Sequence, residues 1–209
     1  MQEDVLPPKY QRVEYVIGNS TASRIDTGIP GNNDNLRFVF CFEINEVDNY
    51  GGILGNYVNE QTDCWRLICQ ASSRPKGFYH THNRIASSSG GLYIGNDKES
   101  YAGLKLHITM DADTATLRYD DYQTTDTINR SHGTANNNNI AFGSKNVGNG
   151  SAHQTLRRKY YYCRIYDNGK LIRNYIPCYR KSDNKAGFYD LVNHTFNPSI
   201  GTSDFIIPS

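Results

Sequence analysis

Around Asn168-Gly169 the chain reads RIYDNGKLIRNYIP (164–177), and apolar and polar residues alternate on both sides of the dipeptide. Asn-Gly tolerates the two positive φ angles of a type I′ turn, so the stretch predicts a two-residue β-hairpin. A loop that short fixes the register: Ile165 faces Ile172 and Tyr161 faces Ile176, while Tyr162 meets Tyr175 on the other side. One face is then strongly apolar and the other aromatic and basic. The same register sets Arg164 opposite Arg173. Two like charges there cost stability unless a carboxylate from another strand, or stacking on the tyrosines, relieves them.

The rest of the chain repeats this strand grammar. No window of a dozen residues keeps an i, i+3, i+4, i+7 apolar spacing, and Ser, Asn, Thr and Gly interrupt every segment. Strands are expected at 12–17, 23–27, 36–44, 52–55, 65–70, 77–82, 91–94, 104–111, 115–119, 140–143, 160–166, 171–177, 187–190 and 204–207. Many short strands at close spacing predict an all-β, antiparallel two-sheet β-sandwich or a barrel. With 209 residues, the chain reads as one domain (1–209), residues 1–10 forming an extended arm. Its 16 Tyr and 8 Phe supply a core of large rings.

Charge and cysteine usage narrow the function classes. Lys and Arg number 22 against 21 Asp and Glu, a net charge of +1, which gives no electrostatic footprint for nucleic acid or an anionic membrane. The run Arg157-Arg158-Lys159 leads straight into Tyr160 and reads as a solvated strand start. The five cysteines, Cys41, Cys64, Cys69, Cys163 and Cys178, contain no C-x-x-C and no paired His spacing, so they read as free thiols packed as small hydrophobes in a reducing compartment. The opening MQEDVLPPKY lacks the pattern of an export signal, and no apolar run approaches the length of a membrane span. The expectation is a chain made in the cytoplasm with Met1 as its natural start; the alternative is a mature segment whose signal was removed and to which Met1 was added. The N-x-S/T sequons at Asn19, Asn129, Asn149 and Asn193 then carry little weight. The segments 136–139 and 148–151 read as surface loops.

The ends of the chain carry a family resemblance. Ile165-Tyr166-Asp167-Asn168-Gly169, Leu171-Ile172-Arg173 and Tyr175-Ile176-Pro177 lead into Gly187-Phe188-Tyr189-Asp190, Val192-Asn193, Phe196, Gly201-Thr202 and Phe205. This order resembles the closing segment of concanavalin A-like lectin/glucanase domains, the laminin-G-like jelly rolls of gut bacterial and phage surface proteins. YQRVEYVIGNSTASRIDTGI (10–29) is similar to the opening of the same domains. One departure is His194, which stands after Asn193 where the family has Gly. The resemblance implies two antiparallel sheets packed face to face, with the first and last strands close together.

Candidate chemistry is sparse. Glycoside hydrolysis needs two carboxylates flanking the sugar, and the nearest run, Glu43-Ile44-Asn45-Glu46-Val47-Asp48, has the wrong order for the glucanase pattern. Asp111 with Asp113, and Asp120 with Asp121, sit at strand ends where acids serve turns. Asp111 and Asp113 are also the weak calcium candidates, since related domains hold calcium at a sheet rim. His80 and His82 share a strand face at a spacing that suits a metal pair, but with no third ligand they read as surface histidines. No G-x-S-x-G and no P-loop is present. Glycan binding asks only for an aromatic face and convergent polar groups, and Trp65, Tyr79, His80, His82, Asn83, Arg84 and Tyr93 supply them; for Trp65 a core position has equal claim. The expectation is a non-enzymatic, lectin-like display or recognition module that needs no cofactor. Virion or cell-surface proteins and glycans are its expected partners, with a phage capsid decoration or fibre protein as first choice. An exported bacterial adhesin or carbohydrate-binding module is the alternative, and a glycoside hydrolase is the third.

Overall fold

A computed structural model describes residues 5–18, 23–45, 51–59, 61–70, 77–85, 90–95, 100–127, 132–144 and 157–208. The sequons at Asn19, Asn129 and Asn149, the segment 148–151, and Glu46 and Asp48 lie outside the described residues.

The described residues are all-β. Seventeen strands run in chain order: β1 (Tyr10–Arg12), β2 (Val16–Gly18), β3 (Ile25–Pro30), β4 (Leu36–Ile44), β5 (Gly52–Gly55), β6 (Asp63–Gln70), β7 (Gly77–Ile85), β8 (Gly90–Tyr93), β9 (Lys105–Met110), β10 (Thr114–Tyr119), β11 (Tyr122–Thr127), β12 (Asn139–Phe142), β13 (Arg158–Asp167), β14 (Lys170–Arg180), β15 (Lys185–Asp190), β16 (Thr195–Pro198) and β17 (Phe205–Ile206). The expected strand at 12–17 is split between β1 and β2. Two strands were not foreseen. β11 reads YQTTDT, where the alternation is of exposure rather than of apolar residues, and β16 is a four-residue flap on β15.

The strands form two sheets. The larger follows the order β1-β14-β15-β17-β2-β13-β4-β9-β10-β11, with β16 beside β15. Because β14 also pairs with β13, the strands β13, β14, β15, β17 and β2 close a five-membered ring within it. The smaller sheet is open, in the order β3-β12-β5-β6-β7-β8. The last strand pairs with the second, Ile17 of β2 lying opposite Ile206 of β17, while β1 pairs with β14. No helix among the described residues is long and apolar enough to cross a membrane.

Alternation builds the core. In β4, Leu36, Phe38, Phe40, Phe42 and Ile44 all point inward and are buried. Phe38 meets Trp65 of β6, with centroids 5.0 Å apart; Phe40 meets Phe142 of β12 at 5.9 Å, and Phe42 meets Phe78 of β7 at 5.6 Å. Phe142 also packs edge-on against Tyr160 and Phe188. All five cysteines are buried. Burial pushes the thiols of Cys41 and Cys178 up to about 12.

Two bulges correct the expected hairpin register. Asn168 and Gly169 have φ of 48° and 77°, both positive as the turn requires. Next to the turn Tyr166 faces Leu171 as predicted, but the register then shifts, and Ile165 faces Arg173 instead of Ile172. Arg164 accordingly meets Asn174, and the like-charge pair never forms. Tyr162 does not face Tyr175, which is opposite Cys163. A second shift on the β4 side leaves Tyr161 as an extra residue, so Tyr160 turns inward. His194 adopts φ of 56°, taking up the left-handed conformation for which the resembling domains use glycine. Asn136 is buried and donates to the Asn56 carbonyl at 2.6 Å, so it is no surface-loop residue.

Phe142, on the smaller sheet, packs against three rings of the larger one, so Phe142→Ala is expected to cost about 3–5 kcal/mol. Urea denaturation checks this as a drop in midpoint at constant slope, and a loss below about 1 kcal/mol would contradict the packing described.

Candidate functional site

The seven expected glycan residues do not share one surface. Trp65 is fully buried between Phe38 and His82, whose ring stacks on it at 5.9 Å and 11°. It belongs to the core and is not a platform open to solvent. His80 and His82 are also fully buried, which corrects their reading as surface histidines. Tyr79 and Tyr93 are half-buried on β7 and β8. Asn83 and Arg84 lie at the end of β7 in a different polar cluster.

The two histidines form a relay between the sheets. His80 Nε2 is 3.1 Å from Asp126 Oδ2 of β11, and its Nδ1 is 2.7 Å from His82 Nε2. A carboxylate only accepts, so Nε2 of His80 carries the proton and Nδ1 accepts from His82 Nε2–H. Burial drives the His80 pKa down to about 4, against the pull of Asp126. Burial and the neighbouring His80 drive His82 down to about 3. Both rings are neutral at pH 7, and among the described residues no group of three or more His, Cys, Asp or Glu is placed to hold a metal.

The calcium candidates serve a turn. Asp111 Oδ1 accepts from the Asp113 amide at 3.2 Å and from the Thr114 amide and hydroxyl, both at 2.9 Å. Burial acts to raise the Asp111 pKa, but these hydrogen bonds outweigh it and the net shift is downward. Asp113 is exposed. Glu43, the described acid of the rejected hydrolase run, is engaged by Lys159 at 2.7 Å and the Tyr161 hydroxyl at 2.8 Å.

Two polar features meet on the loop between β3 and β4. On one side Asp34 Oδ1 accepts from Asn83 Nδ2 at 2.8 Å and Arg84 NH1 at 3.0 Å. Its other oxygen is 3.8 Å from Nε2 of His132, whose Nδ1 contacts Asp63 Oδ2 at 2.8 Å. Asp63 is buried and also accepts from the Gly133 amide. Asn83 sits at φ of 50°, beside a register shift between β6 and β7. On the other side the loop lines a cleft of about 360 Å³, bounded by Gly28, Ile29, Pro30, Asn32, Asn33, Leu36, Asp167, Ile172 and Arg173.

Arg173 owes its place in the cleft to the bulge. Without the extra residue it would stand beside Arg164 on the far face; with it, Nε reaches the Thr27 carbonyl at 3.1 Å and lies 3.6 Å from buried Asp190. NH1 donates to the Ile172 carbonyl at 2.8 Å. Gly28 has φ of 66°, a left-handed conformation that favours glycine. Asp167 accepts through Oδ1 from Asn33 and Asn168, both at 3.1 Å. The cleft thus offers donors and acceptors around apolar Ile29, Pro30, Leu36 and Ile172. Sequence reasoning missed its members because they come from two separated segments. The one usable signal was the like-charge opposition of Arg164 and Arg173, which a bulge resolves.

No protein-family model matches the chain, and no curated protein shows a significant match to it.

The buried histidines make stability acid-sensitive. Unfolded, both titrate near 6.5; folded, they titrate near 4 and 3. Their contribution is complete above pH 6.5 and is lost as pH falls toward 4, because only the unfolded chain takes up the protons. Urea titrations are expected to show a loss on the order of a few kcal/mol over that interval. A flat profile would rule the relay out, and in a His80→Asn, His82→Phe variant the acid limb should flatten whatever its absolute stability.

Proposed function

We propose that this chain is a non-catalytic recognition module, a concanavalin A-like jelly roll of two face-packed sheets, that binds neutral saccharide units in the cleft around Arg173 and is displayed on a virion surface. The carrying observation is that cleft: an apolar floor edged by two amides, a carboxylate and a guanidinium. Sugar hydroxyls both donate and accept, so a mixed set of planar polar groups beside an apolar patch suits them better than a single charge would. Arg173 is already paired with buried Asp190, and Asp167 already accepts from two amides, so neither charge on the lining stands without partners, which favours an uncharged ligand. An amino acid fits less well, because its ammonium needs an open carboxylate and one Asp167 oxygen already serves two amides.

The sandwich assignment draws support from the aromatic contacts that β4 makes with three strands of the other sheet. The resembling C-terminal residues supply β13, β14 and β15, which lie side by side in the closed ring. The virion location rests on the sequence resemblance. No cofactor is called for.

Saccharide-detected NMR against a panel of neutral oligosaccharides tests the cleft. Binding to at least one member is expected, weakened about tenfold or more in Arg173→Lys and in Asp167→Asn. No binding, or binding unchanged in both variants, would remove the cleft from consideration. Release of new reducing ends during the titration would make the chain a hydrolase. For location, the chain is expected to comigrate with intact particles on a density gradient of its native source; recovery only in envelope or secreted fractions would favour a bacterial surface module.

A further inference from the structure

The outward face of the larger sheet carries a second groove. Strand register lays its floor out in rows, with neighbouring strands about 4.8 Å apart. One row runs Tyr162, Cys41, His107, Arg118, Gln123, and the next runs Arg164, Val39, Thr109, Thr116, Thr125, across β13, β4, β9, β10 and β11. Between the short Val39, Thr109 and Thr116 of the second row and the longer Tyr162, His107, Arg118 and Gln123 of the first lies a groove of about 250 Å³.

Its charge is one-sided. Among the described residues Arg118 forms no ion pair, and Arg164 makes only a cation–π contact with Tyr162, 5.3 Å from the ring centroid. Of the acids around this face, Glu43 holds Lys159 and Tyr161, Glu14 lies 3.5 Å from Lys105, and Asp120 and Asp121 sit outside the groove lining in the exposed turn between β10 and β11. His107 registers the imbalance. Its pKa is lowered first by burial and then by the charges of Arg118 and Lys105. The ring is held in place by the Tyr162 hydroxyl at 3.1 Å.

We propose that this groove binds the oxyanion of an acidic saccharide, a carboxylate or sulfate group, with Arg118 as its charge partner and Gln123, Thr109 and Thr116 as neutral hydrogen-bonding partners. An unpaired guanidinium presents parallel N–H groups that match a planar or tetrahedral oxyanion. The Thr109 hydroxyl and the Gln123 amide supply further donors within the same groove, and the Thr116 hydroxyl, 2.9 Å from that of Thr125, gives the ligand whichever of its donor or acceptor roles Thr125 leaves open. Tyr162 and Val39 offer flat apolar surface for the sugar ring. The saccharide carrier follows from the recognition role proposed above, whereas the anion preference stands on this face alone.

Calorimetry with a galacturonate trisaccharide, its methyl-esterified neutral form and a sulfated galactose trisaccharide tests the inference. The galacturonate or the sulfated probe is expected to bind about tenfold to a hundredfold more tightly than the neutral ester, and whichever does identifies the anionic group. The preference should shrink as salt rises and vanish in Arg118→Gln, whose exposed position leaves the core intact. Equal binding of acidic and neutral probes overturns the inference, as does a preference that survives Arg118→Gln, or no binding of either acidic probe. The two sites separate cleanly. Binding that ignores charge and Arg118→Gln but is lost in Arg173→Lys overturns the anion groove and leaves the rim cleft standing. Charge-dependent binding lost only in Arg118→Gln does the reverse.

Discussion

Three phenylalanines spaced two apart on β4 each meet a ring from the opposite sheet, and the rest of the structure depends on that interlock. Phe38, Phe40 and Phe42 address β6, β12 and β7 in turn. Because a strand's side chains alternate strictly, a slip of one residue would turn all three outward. The interlock therefore fixes β4, and β4 fixes its neighbours β13 and β9 through their ladders. Both candidate sites inherit their geometry from this arrangement. The loop leaving β3 reaches the rim just before β4 begins, and the outward residues of β4 form part of the sheet-face groove.

Much of this was legible in the sequence wherever alternation was strong. Leu36 to Ile44 sets a large apolar residue at every second position, even though Val39 and Cys41 between them are apolar too, and β4 has the predicted bounds. The Asn-Gly turn was equally plain. What alternation could not reveal was where it is broken on purpose. The run Tyr160-Tyr161-Tyr162 is apolar throughout, so nothing in it says which tyrosine is the extra one. β11 was invisible because its residues are polar on both faces and owe their pairing to β10.

The candidate site was legible only in part, for a physical reason. The residue types for glycan recognition were sought in one stretch, 65–93, where aromatic and polar side chains are dense. That density has a structural cause: β6 and β7 are interior strands of their sheet, and Trp65, His80 and His82 face the core. Asn83 and Arg84 did reach a polar cluster, but their shared partner Asp34, and His132 and Asp63 linked onward from it, come from three other segments. Local spacing cannot report groups that only the tertiary fold brings together. Arg164 and Arg173 were the exception, because two like charges in register are a contradiction that the backbone has to resolve.

Asp126 joins the sheets in a second way. Besides His80 it accepts the Gly91 amide of β8 at 2.9 Å, and β8 is the outermost strand of the smaller sheet. An edge strand with open amides is a template for strands from other molecules. Here one of those donors is already occupied by a carboxylate that no incoming strand can replace without breaking the histidine relay. Copies of this chain could therefore be crowded at high local density with one route to edge-to-edge polymerisation closed by a single side chain.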